Sequence, residues 1–148
     1  MLLTTQKKLF AQLMPKNILV DLNVILDVLL ERRGFKASQS VLELQVSNSY
    51  NVYVSGHIVT TFAHLLERAK VPQTEILRHI NWLLQTFLVV STTGDILKSA
   101  TRSRITDYED AVIEQAALVC NATAIITRNI KDFRHSAVSA VTPELFEQ

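Results

Sequence analysis

The chain has 148 residues, enough for one domain with a sizeable core, and 48% of them are hydrophobic, which excludes a disordered segment. Its 15 Lys and Arg balance 14 Asp and Glu, so no global basic field marks it for nucleic acid, although a local basic patch stays open. A lone Cys120 excludes an internal disulfide and a multi-cysteine zinc site and fits a reducing, cytoplasmic setting.

Residues 1–16 read as an N-terminal extension and 17–148 as a single domain. The opening MLLTTQKKLFAQLMPKN lacks a continuous apolar core and a small-residue cleavage site, so it does not read as a signal peptide. Its Leu9, Phe10 and Leu13 predict a short amphipathic helix ending before Pro15. No apolar run reaches the roughly 18 residues of a membrane span, so no membrane partner is expected.

From there short β-rich runs alternate with helical patterns. NILV (17–20) predicts a buried strand, residues 23–31 a helix, and KASQSVLELQVSNS a second helix after Gly34. NVYVS (51–55) predicts a strand, followed by helices in HIVTTFAHLLERAK and QTEILRHINWLLQT, with Pro72 between them. FLVVS is strand-like and a short helix spans 94–102. TDYEDAVIEQAALVC then predicts a helix with Thr106 as N-cap and Glu109 closing a capping box. TAIIT (123–127) and AVSAV (137–141) are the last strands, before a terminal turn at Thr142 and Pro143. Strands separated by helices need crossover connections, so the expected fold is α/β with a central parallel sheet of four to five strands. With only three glycines, a glycine-rich phosphate loop is absent.

In such a sheet the strands' carboxyl tips share one edge, where open α/β folds bind ligands. Asp21 follows the first strand, Ser55 and His57 the second, and Thr127 and Asn129 the fourth. Asp107 and Asp110 share the first turn of a helix, and Asp132 lies in the loop RNIKDF. Two carboxylates about 4 Å apart repel by about 4 kcal/mol at an effective dielectric near 20, so a cleft holding several needs a cation. Its all-oxygen donors favour Mg²⁺ or Mn²⁺ over zinc. The bland readings are that Asp107 and Asp110 serve only as cap and macrodipole partners and that Asp132 caps a turn. Asp27 and Glu31 read as the solvated or ion-paired side of the first helix, Glu114 as structural, and the four scattered His as structural or surface residues.

DLNVILDVLLERRGF, DYEDAVIEQAA and IITRNIKDF, in that order, resemble the PIN domain family, in its PIN-like or PilT N-terminus-like bacterial branch related to VapC-type toxin ribonucleases. The likeness runs from Asn17 to Leu145. It implies a three-layer Rossmann-like fold with helices flanking the sheet, and a divalent-metal nuclease acting on RNA. Carried over residue by residue, it implies Asp21, Asp107 and Asp110 as metal ligands. It also implies catalytic-site roles for Asn129, Asp132 and Thr127. One departure stands out: the family places an acid early in the helix after the second strand, where this chain has Thr60 and Thr61.

The resulting expectation is an Mg²⁺- or Mn²⁺-dependent endoribonuclease, the toxin of a toxin–antitoxin pair, with RNA and an antitoxin protein as partners. A homodimer through the apolar helices at 57–86 is also expected. Arg32, Arg33, Arg128 and Lys131, with Lys36, Arg102 and Arg104, are candidates for phosphate contacts. The alternative, motivated by the missing helix acid, is a PIN-like module that binds RNA or protein with weak or no cleavage. A phosphatase-type site in another α/β fold is a third reading.

Overall fold

A computed structural model of the chain describes residues 2–146. After helix α1 (Leu2–Leu13) the elements run β1 (Lys16–Val20), α2 (Leu22–Leu29), α3 (Phe35–Val46), β2 (Tyr50–Ser55), α4 (Gly56–Arg68) and α5 (Gln73–Thr86). They continue with β3 (Leu88–Val90), α6 (Gly94–Ala100), α7 (Tyr108–Val119), β4 (Ala124–Ile126), β5 (Ala140–Val141) and a short α8 (Pro143–Phe146). The sheet is parallel throughout, in the order β3-β2-β1-β4-β5, as the alternation of strands and helices implied.

The strand sequences explain the layering. Ile18, Leu19 and Val20 are fully buried, as are Val52, Val54, Ile125 and Ile126. A parallel sheet covered by helices on both faces has no solvent side, so its strands are continuous apolar runs rather than alternating ones. Val24 and Ile25 of α2, Phe62 of α4, and Ala116 and Ala117 of α7 join the same core. The chain begins the sheet at its centre, builds outward to β3, then crosses back to place β4 on the other side of β1. The order therefore reverses between β1 and β4, and a crevice opens there at the strands' carboxyl ends.

Helix α7 starts differently from the expectation. Its N-cap is Asp107, not Thr106, and the Asp107 carboxylate accepts from the Asp110 amide at 3.1 Å. A cap side chain must reach an amide two or three residues on, and Asp107 meets that requirement with an acceptor stronger than a hydroxyl. The shift of one residue frees Glu109 from the capping-box position. Helix α1 has no buried residue, and Leu2, Leu3, Phe10 and Leu13 stand on it exposed. Among the described residues, no helix is long and apolar enough to cross a membrane.

Candidate active site

The register of β1 and β4 pairs Val20 with Ile126, so the next residues, Asp21 and Thr127, emerge side by side at the crevice. Both are buried, at 6% and 0% exposure. Thr127 Oγ1 donates to one Asp21 carboxylate oxygen at 2.9 Å, and the Leu22 amide donates to the other at 2.7 Å. The Asn129 amide in turn donates to Thr127 Oγ1 at 3.0 Å. Thr127 thus fixes both the Asp21 carboxylate and the start of the loop carrying Asn129 and Asp132. Burial raises the Asp21 carboxyl pKa, and the bonds from Thr127, Leu22 and Asn23 oppose that rise.

The acids of α7 face the same crevice. The Asp110 carboxyl is pushed up to about 7, first by burial and then by the negative charges of Asp107, Asp21, Asp132 and Glu109. The sequence-predicted acids are therefore electrostatically coupled at one place. Asp132 and Asn129 are exposed at its rim. A cleft of about 300 Å³ is lined by Asp107 and Asp132 together with Lys131, Arg134 and His135. A second, of about 470 Å³, runs along Asn129, Lys131 and Asp132. Among the described residues, no three His, Cys, Asp or Glu side chains are grouped so as to hold a metal ion. The donor types there, carboxylates beside the Thr127 hydroxyl, are the oxygen donors a hard cation takes.

Two readings of the sequence change. Arg128, a candidate for phosphate, is already committed. Its Nε donates to Asp27 at 2.6 Å, and its Nη2 donates to the Gly34 carbonyl and to Ser38 Oγ, each at 3.0 Å. Nη1 pairs with Glu144. Asp27 is 4% exposed, so it is ion-paired but not solvated. Its second donor is Ser38 Oγ at 2.9 Å. This network ties α2, α3, β4 and α8 together behind the site. Gly34 makes room for it, with φ 84° and a position where a Cβ would lie 2.9 Å from the Glu144 carboxylate. Arg32, Arg33 and Lys131 are exposed in loops. Glu114 is buried and structural, accepting from Ser103 Oγ at 2.5 Å and from the Ala137 amide at 2.8 Å.

A corner of the site was not anticipated as such. Glu109 Oε1 lies 3.2 Å from Thr61 Oγ1 and 3.8 Å from His57 Nε2. His57 Nδ1 is 2.7 Å from the buried Ser55 hydroxyl, whereas its buried Nε2 has no hydrogen-bond partner. Burial lowers the His57 pKa, and Glu109 opposes that shift. Thr60 turns instead to its own helix, donating to the His57 carbonyl at 2.7 Å. The Thr61–Glu109 contact spans 48 residues, and no local pattern announces it.

The PIN domain model matches residues 17–131. The chain belongs to the PIN domain family. Members of this family are generally nucleases. Solved structures with the same fold include a toxin–antitoxin complex from Klebsiella pneumoniae, at TM-score 0.64 and 22% identity, covering 85% of this chain and 97% of that one. VapBC2 from Rickettsia felis bound to a DNA fragment of its promoter superposes at TM-score 0.68 and 15% identity, covering 85% and 98%. FitAB bound to a DNA fragment gives 0.63 and 19%, covering 85% and 94%. No curated protein matches this PIN domain in sequence.

Proposed function

We propose that this PIN domain is an Mg²⁺- or Mn²⁺-dependent endoribonuclease acting as the toxin of a toxin–antitoxin pair. The observation that carries the reading is the convergence of Asp21, Asp107, Asp110 and Asp132 at the sheet's switch point, where burial first and then the charges of the other acids push Asp110 up to about 7. Carboxylates that repel one another this way favour a divalent cation, and Asp21, Asp107 and Asp110 are the proposed ligands. The bound cation would supply Lewis acidity for phosphodiester hydrolysis. Thr127 holds the Asp21 carboxylate in orientation. Asn129 offers an uncharged amide to water or phosphate, and Asp132 stands at the rim, where it can bind an outer water. Lys131 and Arg134 line the cleft beside Asp132 and are suited to backbone phosphates.

The likeness to toxin–antitoxin assemblies supports an antitoxin partner for this chain. Exposed Leu65, Leu77 and Leu84 on α4 and α5 support a homodimer through those helices. The deciding experiment incubates single-stranded RNA with the wild type and with Asp21→Asn, in Mn²⁺ and in EDTA. Cleavage only by the wild type and only with metal is the expected result. RNA binding without cleavage in Mn²⁺ would establish the binding-module alternative. Hydrolysis of p-nitrophenyl phosphate with RNA left intact would favour a phosphatase.

A further inference from the structure

Helix α1 buries no residue against the rest of the chain. Leu2, Leu9 and Leu13 recur at i, i+7 and i+11, with Leu3 and Phe10 beside them, so one face of the helix is a continuous apolar stripe. All five are exposed. Lys7 borders the stripe and Lys8 lies behind it. No Asp or Glu precedes Asp21, and among the described residues Lys7, Lys8 and Lys16 form no salt bridge. The family match begins at residue 17, so α1 stands outside the shared domain. The end of the sheet from which α1 springs matches it in character. Helices α3, α5 and α7 finish there as their strands begin, and the links between them, residues 47–49, Phe87 and 120–123, carry no charge. Val46 and Val119, the last residues of α3 and α7, are exposed at 77% and 62%. Apolar surface gathered at one end of a molecule marks a contact.

We infer that α1 and this uncharged end form a docking surface for an anionic lipid bilayer. A helix with Leu and Phe on one face and Lys on the other lies in the plane of the headgroups, its apolar side sunk toward the acyl chains and its lysines on lipid phosphates. Charge decides between occupants. A second copy would set Lys7, Lys8 and Lys16 against their own counterparts, with no Asp or Glu in α1 or in these links to pair them. An anionic bilayer neutralises all three. A helix too short to span a bilayer is long enough to lie on one. Strand β1 then leads away from the lipid, five residues at about 3.3 Å each, so the crevice at Asp21 faces outward and stays open to substrate.

The test is cosedimentation of the full chain with vesicles of phosphatidylcholine alone and of phosphatidylcholine with about one-third phosphatidylglycerol. Binding only to the anionic vesicles, and its loss at high salt, is expected. Lys7→Gln/Lys8→Gln should weaken it by about fivefold per lysine, and Leu9→Asp/Phe10→Asp should abolish it. Because α1 buries nothing, both variants should keep the wild-type urea midpoint, which separates lost docking from lost folding. Val46→Asp/Val119→Asp should also weaken binding, and unchanged binding there overturns the seating of that end on the lipid. No sedimentation with the anionic vesicles, equal sedimentation with both compositions, or full binding by Leu9→Asp/Phe10→Asp overturns the proposal. A wild type that is a dimer by light scattering, dispersed by Leu9→Asp/Phe10→Asp and indifferent to vesicles, assigns the face to a second copy and overturns it as well. Each outcome is independent of the metal site.

Discussion

Asp110 should act as an electrostatic load on the metal-free fold. Its carboxyl is raised from 3.8 to about 7, chiefly by burial and by Asp107. A carboxyl whose folded pKa lies above its unfolded value binds its proton more tightly when folded. The resulting destabilisation is fully present above pH 7, fades as the pH falls from 7 toward 4, and is absent below. Three units correspond to about 4 kcal/mol at 1.36 kcal/mol per unit. Asp110 is only half-buried, and solvent screening brings the expectation down to about 1–2 kcal/mol. In EDTA, Asp110→Asn should therefore be more stable than the wild type by about 1–2 kcal/mol at pH 8, with the gap narrowing as the pH falls and closing near pH 4. Urea denaturation at four pH values between 5 and 8 measures this directly. Millimolar Mn²⁺ at pH 8 should then stabilise the wild type and not the variant, since only a folded state with a competent site gains from the ligand. An Asp110→Asn protein no more stable than the wild type at pH 8, or a gap that stays constant with pH, would refute the argument that these acids share one crevice.

Two further outcomes follow from the supporting contacts. Arg128→Met strands the buried Asp27 without its cation and should destabilise the fold by about 3–5 kcal/mol in chemical denaturation. Most of that loss should return in the Asp27→Leu/Arg128→Met pair, and a loss below 1 kcal/mol in the single variant would show the network is not structural. Thr127→Val removes the donor to Asp21 and the acceptor for the Asn129 amide. A destabilisation of about 1–3 kcal/mol in EDTA is expected, with Mn²⁺ affinity lowered as well; unchanged affinity would mean that Thr127 does not orient Asp21.

The sequence by itself determined the alternation of strands and helices, and through it the parallel sheet. Those signals are local: apolar runs such as NILV and TAIIT, helical periodicity in QTEILRHINWLLQT, and Pro72 between two helices. It also placed Asp21 and Thr127 at strand ends, because a strand's end is readable from its own residues. Tertiary structure alone decided which of the remaining polar groups meet. Arg128 and Asp27 are 101 residues apart, and only the tertiary fold pairs them, turning a candidate phosphate ligand into an internal clasp. Asp107 took the α7 cap from Thr106, a choice between adjacent acceptors that the helix's final orientation settled. That one-residue change released Glu109 toward Thr61 and His57. Periodicity records how each element faces the core, but not which side chains confront one another across a crevice lined by separate elements.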